Sequence, residues 1–569
     1  MRPVPRSRHV MALAIFVAVA AIYGGEAFYD QRLDREQLQL ATAAVKRHSP
    51  ELFPRDMVFG PSRMSEMHPP LFLAIMEMVL IPTDYRDPTL PFRVLAPIVA
   101  LVYLCGMYSL MRRHCRSWSI SALVAVASSV VIETMGRCFW GAGAMTFVTP
   151  QGLVIAVTPL IALALLIYAN QWRVLLVFLA TGLLANIDMT AATNLMLVLL
   201  VVYLAGQNWK PRALAMGAAC LLCAAAAAAP YVWYFYTLAG RTAEFRMAPY
   251  IGQYAPMVSL QDSGILYGPG KLLGDLGQWG GMLAAPVILT AVVLSLVERF
   301  RVRDLKFWLV WTAAALGAAT VLYGGMYILD IQGRVPPPTT DYLQAVSLVM
   351  LPFYALLAQA LTNLFRLFHP HRHLLRWLCA AALVAWMLPT DNLRVARHQA
   401  LDLATMFLPD NEKPANVLRH RESDRSRQQL RRLAMAAREH TPVDAMFITE
   451  SLEFRLVSQR SILVSIQDMI YLHRLAPGKL TSWYRCLCGQ QKALPTTQGP
   501  GDGAALVLLA KEITTAMTSP KGPPDPNWKS DAQWYAVLPA TADIAGPGIQ
   551  EVPWAKPAPG DYYRIVRLR

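Results

Sequence analysis

The 569-residue sequence predicts a polytopic α-helical membrane protein that carries a C-terminal α/β domain outside the cytoplasm. Three observations predict it. The chain is 55% hydrophobic and only 16% charged, against roughly 25% charged in an average soluble domain. Apolar runs approaching the ~20 residues that a helix needs to cross a bilayer recur along most of its length. Lys and Arg fall on alternate sides of those runs. The balance of 52 Lys+Arg against 37 Asp+Glu gives a net charge of +15. A nucleic-acid binder can share that charge, but its basic patch works from a hydrated, charged surface, and a mean hydropathy of +0.35 leaves little of one. The excess belongs instead to cytoplasmic loops, where positive charge orients a membrane protein.

Eleven segments qualify as candidate spans: 9–27, 93–111, 117–135, 152–168, 173–187, 191–206, 213–236, 281–298, 307–328, 342–363 and 374–390. The first is an anchor rather than a cleaved signal, because no small-residue cleavage site follows it. Arg2, Arg6 and Arg8 precede it, and basic residues follow each even span: Arg112, Arg113 and Arg116, then Arg173, Lys210 and Arg212, Arg299 to Lys306, and Arg366 with Arg372. The short loops of opposite parity carry almost none. This pattern puts the N-terminus in the cytoplasm, and eleven spans then put everything after Pro389 outside it. The chain divides into a membrane domain, 1–391, with long external loops at 28–92 and 237–280, and an external domain, 392–569.

The external domain reads as α/β. A basic amphipathic helix at about 414–439 precedes short apolar runs at 444–449, 461–466, 504–510, 534–539 and 562–568, bounded by Pro, Gly and Asp as buried strands are. The segments 495–503 and 518–533 read as loops. No phosphate-binding glycine motif follows any of the runs, so nothing there supports nucleotide binding. Cys105, Cys115, Cys220, Cys223 and Cys379 lie in or beside spans, where a thiol packs as a small apolar group. Cys486 and Cys488 lack the spacing of a redox or zinc motif.

Ionisable residues at a membrane boundary are candidates for function because their desolvation needs a partner or a role. Acidic residues crowd the external side: Glu26, Asp30, Asp34, Asp56, Glu66, Glu77, Asp84 and Asp87 in or beside the first loop, then Glu133, Asp188, Asp330 and Asp341. Such a face suits proton abstraction or cation binding. For each residue singly, a hydrated surface charge is the plain alternative. The first loop also contains Met67-His68-Pro69-Pro70-Leu71-Phe72, an apolar stretch at 70–83 that is too short to span and suits the membrane interface, and Leu90-Pro91-Phe92-Arg93-Val94-Leu95 leading into the second span.

On these features, over residues 9–210, the chain resembles the GT-C membrane glycosyltransferases, in particular the group containing protein mannosyltransferases and lipid A aminoarabinose transferases. The segment 454–462 looks like the external domain of bacterial members of unassigned specificity. The resemblance implies a transferase that takes a sugar from a polyprenyl-phosphate donor to a glycan, lipid or protein acceptor on the periplasmic face of a bacterial inner membrane. It implies inversion, no nucleic acid, and no cofactor beyond that donor. A metal is used by some relatives, but no ligand set can be written here and none is expected. By position, Asp30 is the first choice for the general base and Asp34 the second. His68 matches the His/Lys-Pro-Pro position and is a phosphate contact, with Arg63, Asp56, Arg241, Arg246 and Arg334 as further substrate-binding candidates. A transporter and a noncatalytic subunit of envelope-polysaccharide assembly or export remain as alternatives. A transporter is expected to show inverted repeats, which this sequence does not.

Overall fold

The computed structural model describes residues 6–30, 32–60, 68–115, 117–134, 139–241, 304–322, 324–325, 342–367, 372–409, 412–469, 472, 479–494, 503–518, 533–542 and 548–569. The N-terminal part is helical: α1 (Arg6–Tyr29), α2 (Arg35–His48), α3 (Pro70–Leu80), α4 (Leu90–Cys115), α5 (Trp118–Ser129), α6 (Pro150–Tyr168), α7 (Val174–Leu184), α8 (Met189–Gly206), α9 (Pro211–Arg241), α10 (Leu305–Gly317), α11 (Met350–Leu367) and α12 (Arg372–Met387). A two-strand ribbon, β1 (Ile132–Glu133) and β2 (Phe139–Trp140), follows α5.

Seven stretches among the described residues are long and apolar enough to cross a membrane: Ser7–Tyr29, Leu90–Cys115, Pro150–Tyr168, Met189–Gly206, Pro211–Trp233, Leu305–Leu322 and Tyr342–Arg366. The protein is therefore a multi-pass membrane protein, with seven such stretches among the described residues rather than the expected eleven. The expected spans 117–135, 173–187 and 374–390 contain only the helices α5, α7 and α12. At 1.5 Å per residue, an 11-residue helix such as α7 reaches only about 17 Å into a hydrocarbon core of about 30 Å. Apolar composition runs on past these helices while the backbone turns: after α5 into the ribbon, and after α7 through Asn186 to Asp188, whose carboxylate caps α8. The expected span 281–298 and nearly all of the external loop 237–280 lie outside the described residues.

Helix contacts in the membrane part follow side-chain size. Gly182 of α7 lies so close to α9 that a Cβ there would come within 2.2 Å of the Ala224 carbonyl oxygen. The run of alanines at 224–229 completes this close approach, the usual way for helices to pack where the surrounding solvent is itself apolar.

The C-terminal part begins with α13 (Arg394–Ala404) and α14 (Ala415–His440), which matches the expected basic helix. It continues with β3 (Met446–Ile448), α15 (Leu452–Ser458), β4 (Ser461–Ile462), α16 (Leu480–Ala493), α17 (Gly503–Thr518), β5 (Trp534–Pro539), β6 (Ile549–Glu551) and β7 (Tyr563–Leu568). The strands form one mixed sheet in the order β4-β3-β5-β7-β6, parallel through β4-β3-β5 and antiparallel beyond. Phe447, Ile462, Tyr535 and Ile565 pack with Ala434 and Ala437 of α14 and Phe454 of α15. Alternate residues, Met446, Ile448, Trp534 and Ala536, join a second core with Trp483, Leu487 and Leu506. Helices thus cover both faces, with the period-2 alternation that a two-sided sheet imposes.

One expected strand is a helix. Residues 504–510 belong to α17, because the Ala-Leu run continues through Lys511-Glu512-Ile513 with strong helix formers, and a short apolar run has no periodicity to separate the two states. Of the loops expected at 495–503 and 518–533, only the end positions Gly503, Thr518 and Gln533 are described.

Candidate functional site at the C-terminal end of the first helix

Asp30 is the first residue past α1, and its amide still closes the last helical turn by donating to the Glu26 carbonyl at 2.8 Å. Its half-buried carboxylate accepts the Arg32 N–H at 3.0 Å. Arg32 then reaches across to α14, donating to Asp424 Oδ1 at 2.7 Å and to His420 Nδ1 at 2.6 Å. A guanidinium has no acceptor, so Nδ1 of His420 must carry the lone pair and Nε2 the proton; that nitrogen lies 3.2 Å from Asp424 Oδ2. His398 of α13 stacks on His420 with ring centroids 3.6 Å apart. Burial holds both imidazoles below their usual value. His420 and Arg397 push His398 further down, whereas Asp424 pulls His420 partly back. Asp30 thus sits at the edge of a cluster contributed by the segment after α1 and by α13 and α14, with a carboxylate and the His398 imidazole able to accept protons and a guanidinium able to hold an anion.

The other first-loop residues are engaged differently. Asp34 is the N-cap of α2 in a reciprocal box with Gln37, whose Oε1 accepts the Asp34 N–H at 2.9 Å. Glu26 accepts the Val395 and Ala396 N–H groups at 2.7 and 2.9 Å, capping α13 from another helix. Asp56 is buried in a three-member ion cluster: Arg455 Nε lies 2.9 Å from Asp56 Oδ2, and the same guanidinium donates twice to Asp468, at 3.0 and 2.6 Å. Val58 and Phe59 donate their N–H groups to Asp56 Oδ1. Burial raises the Asp56 carboxyl above its ordinary value, with Arg455 opposing. Burial also works against the Arg455 charge, but Asp468 and Asp56 outweigh it and raise that group.

Around this cluster the first loop and the C-terminal domain form one structure. Gln37 of α2 donates to the Met145 and Val148 carbonyls on the membrane side at 2.6 and 3.1 Å, and Gln39 donates to Asp468 at 2.8 Å on the other. Arg55 pairs with Asp444 at 2.9 Å, and its amide donates to Ser461 Oγ. Asn392 locks the junction from below: its side chain accepts the Val131 N–H at 2.7 Å and donates to the Ala142 carbonyl at 3.0 Å.

His68 is buried just before the prolines that open α3, and burial pushes its imidazole down to about 4, so it is neutral at physiological pH. The first turn of α3 is tied to the α7–α8 turn, where Leu71 N–H donates to the Asn186 carbonyl at 3.2 Å. Arg63, Arg246 and Arg334 lie outside the described residues, as does the Arg241 side chain at the end of α9. Among the described residues no group of three or more His, Cys, Asp or Glu is set to hold a metal ion. Arg32, His398, His420 and Asp424 escaped the sequence reading because almost 400 residues separate the two halves of the cluster. The only local signal was the His420/Asp424 spacing of one helical turn.

No protein-family model and no curated protein matches the chain. Among solved structures it is similar to the crystal structure of the Archaeoglobus fulgidus oligosaccharyltransferase in complex with Zn and sulfate, at 14% identity and a TM-score of 0.36, over 93% of this chain and 68% of that one.

Proposed function

We propose that the protein is a membrane glycosyltransferase that moves a sugar from a polyprenyl-phosphate-linked donor to an acceptor on the external face of the membrane, with inversion, and that Asp30 is its general base. One observation carries the assignment among the first-loop acids. Asp34 is committed to a helix cap and Asp56 to a buried ion cluster, whereas Asp30 stands at the end of a membrane-length helix and accepts only a local backbone N–H among the described bonds. In this reading Asp30 takes the proton of the attacking acceptor hydroxyl. The departing phosphate is stabilised by the external arginines, Arg63, Arg241, Arg246 and Arg334, and His68 contributes a neutral hydrogen bond instead of a second positive charge. No metal takes part.

The test is sugar transfer from polyprenyl-phosphate sugars in reconstituted membranes. Asp30→Asn is expected to lower the rate by roughly 10²–10⁴-fold, the usual contribution of a general base. Asp34→Asn is expected to retain it, because Asn caps a helix about as well as Asp. Full transfer by the Asp30→Asn protein rejects the assignment and favours a noncatalytic role in envelope-polysaccharide assembly.

A further inference from the structure

We infer that α13 and the turn after it form an interfacial anchor that lies in the outer surface of the bilayer and fastens the external domain to it; this rests on the multi-pass membrane reading and not on the proposed chemistry. The level of α13 is fixed by Glu26. That residue is in the last turn of α1, a helix of membrane length, and its two carboxylate oxygens hold the first free amides of α13. The carboxylate at this N-terminus also complements the helix dipole. The helix therefore starts at the membrane boundary, and the chain enters it directly from the apolar α12.

Its rotation is fixed as well. On one side Asp402 pairs with Arg421 at 2.9 Å and His398 stacks on His420, so this side belongs to α14. The opposite side carries Ala396, Ala400 and Leu403 at helical spacing, and Met406 and Phe407 follow in the turn after the helix, all of them exposed. Leu403 is 69%, Met406 63% and Phe407 92% exposed. A water-facing helix has no use for three large apolar side chains stripped of cover at one end. Phe28 and Tyr29 at the end of α1, the helix that holds the start of α13, are exposed as well. A helix with a polar side held by protein and an apolar side level with the membrane boundary has the form of an interfacial segment, and the occupant of the apolar side is lipid.

The experiment uses the full chain in phospholipid vesicles, with a benzophenone amino acid placed at position 407, at 403 as a second probe of the same apolar patch, or at 423 on the exposed side of α14. After irradiation, peptide mass spectrometry is expected to find phospholipid adducts at 407 and 403 and none at 423. A crosslink from 407 and 403 to a second copy or to another segment of this chain, or the absence of lipid adducts at both, overturns the inference.

Discussion

At the scale of single residues, the chemistry of the first loop is decided by what each side chain has already been given to do. Arg455 is the clearest case, since its guanidinium pairs with two buried carboxylates at once. Removing one partner of a buried ion cluster leaves the others charged and desolvated, which costs about 3–5 kcal/mol. Arg455→Ala is therefore expected to lower the thermal unfolding midpoint of the detergent-solubilised protein strongly. An unchanged midpoint would mean that the cluster holds nothing together. His68 yields a prediction about pH. Its folded-state value of about 4 is below the ordinary 6.5, so the unfolded chain binds a proton more readily between those two values. Its contribution is intact above about pH 6.5 and is lost as pH falls towards 4, by up to about 3 kcal/mol. Unfolding measured from pH 7.5 to 4 is expected to show a flatter profile for His68→Gln than for the unaltered protein; parallel profiles would contradict the burial of a neutral ring.

At the scale of elements, legibility followed periodicity and distance. The long apolar helices, the basic helix α14 and strands β3, β5 and β7 were readable because their patterns are local. The status of 117–135, 173–187 and 504–510 was not, because an apolar run records burial without recording where the backbone turns or whether it is helical. Helix α2 was missed for a related reason: its buried face includes Gln37, Gln39 and Thr42, polar side chains that a search for apolar runs passes over, and those amides are buried because they bond partners more than a hundred residues away. The position of Asp30 past α1 was legible, whereas its neighbours on α13 and α14 were not. Close packing gives a prediction at this scale. At Gly182 even a single methyl collides with the α9 backbone. Gly182→Ala is expected to cost about 1–3 kcal/mol through overpacking, and Gly182→Leu to cost more by prising α7 from α9. Disulfide trapping between cysteines placed at 186 and 227, where the Asn186 side chain reaches the Ala227 carbonyl, can follow the separation, and equal trapping in both variants and the parent would sink the idea.

At the scale of the whole molecule, the boundary near residue 391 is a change of composition but not a seam. Arg55 has its side chain buried against Asp444, and Asp56 meets Arg455, so the first loop is finished by residues of the last third of the chain. A protein ending at residue 391 is expected to insert its helices yet expose this loop, so that trypsin cuts after Arg55, a bond that the full-length protein shields. Equal resistance of the two chains would show that the loop is held by the membrane part alone. The same clasp also imposes an order in time. The amide of Ile462 and the carboxylate of Asp56 are 406 positions apart, and at 5–20 residues per second that distance is about 20–80 s of synthesis. Throughout that interval the loop bearing Asp30 is on the membrane with its contacts to the C-terminal domain unmade. The protein acquires its candidate site only when the final third of the chain arrives, so any factor that delays or diverts that segment leaves behind an inserted but unfinished molecule.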